Sequence, residues 1–549
     1  MDIRTRARTA LVVAALVASG IAAHGPEAAA APGAPGAPGE PGAPSRPAAA
    51  GSTLDRPDDA VALSGAQVTE LVGTAPNRVV GFRASNGAWV QIPVQVDERK
   101  DTTNAAIYNL PTTQTFYNSS INVPVKAYAD PNTFTGADTN AAFDADDEVA
   151  FMTRDAGGAR GALTNPAGTT GAPVEVRLSE PGNAAATGYV YLFASNGTLS
   201  PAAGKASIGY DFRLTSGDYK TTYRRTDGPN PENSTVTGST YTAHFSDRWL
   251  MDSISLTRGS KPGVDLIDRA KYDIQAFCVR NENTFDDEEG AFVVNKAGPI
   301  RAIRSYIGSN SGPNTQNTHL FYDTFVDTRV ELKVHAIPNV EAHLDFGQQA
   351  YGMTYRNPQV PNGVPVDGQP DNVPANAVPT WWSLVGPQGG LGLAATYDVN
   401  ATANPTTYYE DDTTPANWQC TGDGEAVGDS GVFFNSWINC TDPGTNCDQR
   451  LSSTFRVVAT PSTVTPADVQ QRAEALLKPV VVTVNGRGGG GPGGNCVRAL
   501  NSDHVTAGRA TAFIFFAFAV GSGQSLGLTW ETTSLREVST GRWELVTAC

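Results

Sequence analysis

The chain has 549 residues, only 17% of them charged, and a formal net charge of −16 at pH 7. That acidity excludes a basic stripe for nucleic acid and a general attraction to anionic lipid. With 56 glycines and 37 prolines it favours strands and turns over helices, and its length exceeds what one core spans.

The first residues carry Arg4, Arg6 and Arg8, an apolar stretch over 10–23 and an Ala-rich cleavage zone near 28–31. This order is that of a secretory signal peptide over 1–31, so the mature protein is expected outside the cell. No later window reaches the ~18 apolar residues that a membrane-spanning helix needs, and none is expected. A Pro/Gly/Ala tract over 32–55 reads as an extended linker.

Residues 56–200 are expected to form an N-terminal β domain. Val90, Ile92, Val94 and Val96 alternate with Gln91, Pro93, Gln95 and Asp97, while Val174, Val176 and Leu178 alternate with Glu175 and Arg177. The run YVYLF (189–193) suits a strand buried on both faces, and SNG (85–87) and NGT (196–198) mark turns. Inside this region FDADDEVAF places Asp144, Asp146, Asp147 and Glu148 within five positions. An EF-hand is excluded because Val149 stands where glycine is required. A looser Ca²⁺ site remains open, with Asp130 and Asp138 upstream. In an extended chain Asp147 points inward with Val149 and Phe151, so it needs a partner, either Arg154 or a metal.

Residues 201–484 are expected to form the main β domain. Arg304 and Tyr306 share one strand face, and Arg329, Glu331, Lys333 and His335 share another. If these strands pair, Arg304, Tyr306, Glu331 and His335 can project together. Tyr or His would then move protons, Arg would neutralise developing charge, and carboxylates would support glycoside cleavage. The same pattern also describes an ordinary solvated sheet face. Trp381 and Trp382, with His319, are the candidate substrate contacts; the tryptophans suit a sugar platform or a core equally. His319, His335 and His343 are close in sequence, as a metal group or as surface histidines.

Two serine motifs are discounted. GQSLG (523–527) has no histidine after it, so Ser525 is a turn residue. GDSG (428–431), with TAHF (242–245) upstream, has the protease order but Val432 where a second glycine belongs. Beyond them, Thr465 caps a helix over 465–478 that begins at Pro466 and stops at Pro479. It is expected on a sheet edge. A Gly-rich linker (485–495) then leads to a module over 496–549.

All six cysteines (Cys278, Cys420, Cys440, Cys447, Cys496, Cys549) lie beyond the leader and form no CxxC pair, which favours disulfides over zinc. Cys496 and Cys549 bracket the last module and are expected to pair, stapling a core too small to stand alone.

In that module His504, Ala507, Gly508, Arg509 and Ala510, then Gly521, Ser522 and Gly523, then Leu526 and Gly527, carry a resemblance. They resemble the small accessory domain of secreted polyhydroxyalkanoate depolymerases and related esterases. The resemblance implies attachment to a polymer and covers about a tenth of the chain. The main region resembles a group of large secreted bacterial proteins without assigned chemistry, through IPVQVDER (92–99), FDADDEVAFMTRDAG (143–157), GPIRAIRSYIGSNSGP (298–313) and VDGQPD (366–371).

The sequence therefore predicts a monomeric all-β protein, a large antiparallel sandwich or supersandwich with a small C-terminal β module. Its expected role is a secreted polymer-active enzyme, a polysaccharide hydrolase or lyase, with an extracellular glycan as partner. The alternative is a non-catalytic glycan-binding or cell-surface protein.

Overall fold

The computed structural model describes residues 51–549 except 117–118, 204–205, 216–219, 221, 224–231, 247–248, 258–262, 275–289, 309–312, 334–339, 376–379, 400–404, 415–425, 435–449, 461–464, 486, 490–495, 507–508, 514–515, 521, 523, 529, 540–541 and 547–549. The leader, residues 32–50 of the Pro/Gly/Ala tract, His335, and Cys278, Cys420, Cys440, Cys447 and Cys549 lie outside the described residues, whereas the end of the tract is fixed rather than free, with Leu54 buried and the Thr53 backbone N–H donating to the Thr187 carbonyl at 2.8 Å. Cys496 is described only in its backbone, at the start of a strand.

The chain is built from antiparallel sheets, as the alternation predicted. A ten-stranded sheet runs through the main region. Gly290–Lys296, Ala302–Gly308, Gln316–Phe321 and Phe325–Lys333 follow one another by hairpin pairing, and Arg450–Thr460, Gly389–Val399 and Trp381–Gly386 extend the sheet. A four-stranded sheet contains Ser234–Thr237, Tyr241–Phe245 and Met251–Leu256. A second one has the order Ile267–Ile274, Val340–Phe346, Ala426–Phe434 and Pro405–Asp412.

One apolar core joins these sheets. Val236, Tyr241, Phe245 and Ile254 come from the first four-stranded sheet, and Leu344 and Phe346 from the second. They meet Phe321, Trp382, Leu391 and Ala459 of the ten-stranded sheet. Alternating apolar residues give each strand one core face, and stacking those faces removes them from water. The arrangement is a sandwich.

The N-terminal region has a six-stranded sheet ordered Ala88–Ile92, Val79–Ser85, Asn183–Ser195, Thr169–Glu180, Val481–Val484 and Arg487–Gly489. Val176 and Leu178 stand opposite Val484 and Val482, and all four belong to one buried cluster with Val190 and Leu192. A strand from the end of the main region thus completes the N-terminal sheet. Gly65, just past the separate strand Ala60–Ser64 that pairs with Glu148–Met152, marks a forced close approach, since a Cβ at that position would lie 1.7 Å from the Asp144 carbonyl oxygen.

The predicted helix runs Pro466–Leu477. The Thr465 side chain accepts from the Asp468 backbone N–H, and the Asp468 side chain accepts in return from the Thr465 backbone N–H, forming a capping box. The helix lies across Trp381–Gly386, Gly389–Val399 and Arg450–Thr460, three neighbouring strands, so it covers a sheet face rather than the expected edge. Val469 and Ala473 are buried, and Gly392 leaves room for Val469: a Cβ there would sit 3.0 Å from its side chain. Thr465→Ala is expected to cost about 1 kcal/mol, read as a lower urea midpoint at unchanged slope.

In the C-terminal module, Cys496–Leu500, Thr532–Ser539 and Arg542–Val546 form one sheet and Ala510–Phe513, Phe516–Ala519 and Ser525–Leu528 another. Arg509 Nε donates to His504 Nδ1 at 2.9 Å, so two residues that carry the family resemblance touch.

Candidate active site

Of the four residues expected to share a catalytic face, His335 lies outside the described residues, and the other three do not share one. Arg304 pairs with His319, which pairs with Thr328; Tyr306 pairs with Asn317, which pairs with Val330. Glu331 is in register with Gln316 and Ile307, one residue out of step, so it projects from the opposite face and is exposed. Its place beside Arg304 is taken by Glu232, a residue outside the sequence reading. Glu232 reaches Arg304 Nη2 at 2.6 Å and Nε at 3.2 Å.

Arg304 and Glu232 are both buried. The guanidinium lies over Phe245 at 4.3 Å, Tyr306 at 4.9 Å and Phe292 at 5.6 Å, an aromatic enclosure that favours a desolvated cation. Trp249 stands 4.7 Å from Phe292 and 5.1 Å from Tyr306. Burial pushes the Tyr306 hydroxyl up to about 12. Burial and the neighbouring guanidinium hold His319 at about 3. An effective proton carrier titrates near the working pH, and neither group does.

Trp382 is fully buried against Phe346 and Tyr355, and Trp381 is 8% exposed. Both belong to the core side of the question left open by the sequence, because a sugar platform must present a ring face.

In the acidic stretch, Asp144, Asp146 and Asp147 each bring one oxygen within 4.8 Å of the others. Asp147 is buried as its parity predicted, but its partners are the backbone N–H groups of Arg99 at 2.7 Å and Asp144 at 2.9 Å. Arg154 instead pairs with Asp323 at 2.8 Å. Burial, outweighing those two hydrogen bonds, pushes Asp147 up to about 6. Lys126 lies 2.6 Å from Asp146 and 2.7 Å from Asp101, so an ammonium already offsets part of the charge of this cluster. Glu148 faces elsewhere: Arg99, Arg301 and Tyr128 take both its oxygens.

The titration properties that the first cluster lacks occur on the second four-stranded sheet. Glu410 of Pro405–Asp412 stands directly opposite Asp429 of Ala426–Phe434. His343 of Val340–Phe346 brings Nδ1 to 3.3 Å from Asp429 Oδ2, with both side chains sealed from solvent. The Tyr408 ring stands 5.0 Å from the His343 ring. Burial, then the carboxylates of Asp429 and Asp412, push Glu410 up to about 7, with His343 pulling weakly the other way. Pro405–Asp412 is the sheet's edge strand, so Tyr408, Glu410 and Asp412 form a half-buried stripe along it, two residues apart and on one face.

The opposite face of that strand fixes its shape. Asp411 accepts from the backbone N–H groups of Asp367, Gly368 and Gly428, at 2.7 to 3.1 Å. Gly428 has φ +64, the left-handed region that suits glycine, and the register shifts between Glu410 and Asp412. The resulting bulge terminates regular pairing beside the acidic stripe. It also disposes of the GDSG motif: Ser430 faces away from Asp429, buried, and donates to the Gly428 carbonyl. His244 bonds Asp252 at 2.7 Å on another sheet.

His343 and the GDSG stretch drew notice in the sequence, but YYEDD (408–412) did not. An alternating aromatic–acid–acid strand is its only local signal, and Asp429 and His343 join it only through pairing.

No family model matches the chain, and no curated protein matches it in sequence. Among solved structures, a protein of glycosyl hydrolase family 38 from Enterococcus faecalis aligns at a TM-score of 0.37 and 8% identity. The alignment covers 89% of this chain and 53% of that protein, so this chain spans about half its length.

Proposed function

We propose that the protein hydrolyses a polysaccharide by acid–base catalysis on the Tyr408–Glu410–Asp412 stripe. The supporting observation is Glu410, a half-buried carboxyl on an edge strand held near pH 7, which is the property of a general acid. Glu410 would protonate the glycosidic oxygen, and its burial, with Asp429 behind it, keeps its proton affinity high. Asp412 would activate water. Tyr408 supplies a ring on which a sugar can stack.

Export, suggested by the leader, and polymer attachment by the C-terminal module complete this reading. The test is release of reducing ends from a panel of neutral and acidic bacterial and plant polysaccharides, with absorbance of unsaturated products recorded in parallel. Reducing ends without unsaturation support hydrolysis; unsaturated products would reassign the site to elimination. Binding without product would favour the glycan-binding alternative.

A further inference from the structure

Three adjacent strands of the second four-stranded sheet, Val340–Phe346, Ala426–Phe434 and Pro405–Asp412, hold six carboxylic residues and neither lysine nor arginine. His343 is their single basic residue. Pairing sorts the charges around it. On the far side of Val340–Phe346, Arg269 stands in register with Asp345, and Lys271 with His343. Asp429 is on the next strand in the other direction, beside Glu410 and away from both cations. Asp412 follows Glu410 along the edge strand, and Asp411 is taken up on the opposite face by three backbone N–H groups.

The Asp429 side chain is sealed from solvent. An ionised carboxylate there is unfavourable unless a donor or a cation stands against it. His343 supplies that group, with Nδ1 3.3 Å from Asp429 Oδ2 and its own side chain sealed as well. A hydrogen on Nδ1, present in the imidazolium and in one neutral tautomer, favours the ionised form of Asp429. The Tyr408 ring packs edge-on against the imidazole at 5.0 Å and helps to hold its orientation.

His343 acts on Glu410 in two opposing ways. Its positive charge directly eases ionisation of Glu410. Through Asp429 it does the reverse, because a charged Asp429 disfavours a second negative charge beside it. The direct pull is weak and Asp429 is the largest charge acting on Glu410, so the path through Asp429 wins.

We propose that His343 is a positioning residue for the acid: it keeps Asp429 ionised, and ionised Asp429 holds the proton on Glu410. The inference rests on the reading of Glu410 as the general acid, and His343 acts without touching substrate.

The test follows the proton on Glu410 without turnover. A water-soluble diazoacetamide esterifies protonated carboxyl groups. Peptide mass spectrometry of the full chain, labelled at a series of pH values, locates the ester on Glu410 and gives its midpoint. His343→Gln should lower that midpoint by about 1 pH unit, as Asp429→Asn does, because a sealed carboxylate without its partner takes up a proton. The double variant should shift it no further than Asp429→Asn alone. A midpoint unchanged or raised in His343→Gln, or an additive shift in the double variant, would overturn the proposal. Should His343→Gln not fold, nitrogen-15 spectra of selectively labelled histidine in the unmodified protein decide. His343 Nδ1, identified by its displacement in Asp429→Asn, should carry a hydrogen at the pH where Glu410 titrates, and a bare Nδ1 there would overturn the proposal. A lowered midpoint with no hydrolysis of any polysaccharide would count against the proposed function and leave this coupling standing.

Discussion

Glu410→Gln should lower kcat on the hydrolysed polymer by about 10²–10⁴-fold, the usual contribution of a positioned general acid, while KM changes little. Glutamine keeps the size and hydrogen-bonding capacity of the side chain but has no proton to give. In the unmodified protein Glu410 carries its proton below about pH 7, so activity should fall as pH rises through that value. Asp429→Asn removes one of the two carboxylates that raise Glu410, so its descending limb should move to lower pH. A purely structural role for Asp429 would reduce stability without moving that limb. A Glu410→Gln protein with the original rate and pH profile would eliminate this site as the acid.

The second large effect concerns stability. Arg301 is buried and links two sheets: its Nε and Nη2 reach Asp97 at 2.8 and 2.7 Å, and Nη2 reaches Glu148 at 2.5 Å. Lys296 adds a contact to Asp97 at 2.8 Å, and Arg99 one to Glu148 at 2.8 Å. Gln95 receives the backbone N–H groups of Ile300 and Arg301, so the polar groups around Arg301 are well satisfied. Arg301→Met leaves two buried carboxylates short of a cation, and breaking such a pair costs about 3–5 kcal/mol.

The same network fixes a pH dependence. Burial alone would raise Asp97 and Glu148, but Arg301 with Lys296, and Arg301 with Arg99, overcome it and hold each at about 2. Their usual values are 3.8 and 4.5. Because the folded values are the lower ones, this stabilisation is fully present above about pH 5. It is lost as pH falls towards 2, at about 1.4 kcal/mol per unit of depression for each group. Urea unfolding at a series of pH values should show that slope, and Arg301→Met should flatten it. A slope unchanged in the variant would place the acid sensitivity elsewhere.

The fold class was legible because it is local. Alternation at 90–97 and 174–178 is a strand signal complete within the segment, and Thr465, Pro466 and Pro479 enclose a helix by short-range rules. The inward direction of Asp147 was legible for the same reason. Its partner Arg99 was not, since it is 48 residues away and arrives by sheet pairing. Arg304 and Tyr306 were correctly placed on one face, but register decided who joined them. A one-residue offset sent Glu331 to the other side, and Glu232 entered from 72 residues away. Glu410, Asp429 and His343 belong to three strands of one sheet, and no spacing rule connects them. Local periodicity assigns a face to each side chain; chemistry depends on which faces are brought together.

Val481–Val484 has a consequence for how this chain reaches its native state. Its partner, Thr169–Glu180, is made some 300 residues earlier, so the N-terminal sheet keeps an open apolar border until almost the whole main region has been synthesised. Such distant closure makes folding slow and the unfinished border adhesive. A chain ending before Val481 should therefore aggregate through its first half, although that half retains every residue of its own hairpins. Conversely, a single proteolytic cut in a surface loop between them should leave two fragments that co-purify, clasped by one short strand and the core beneath it.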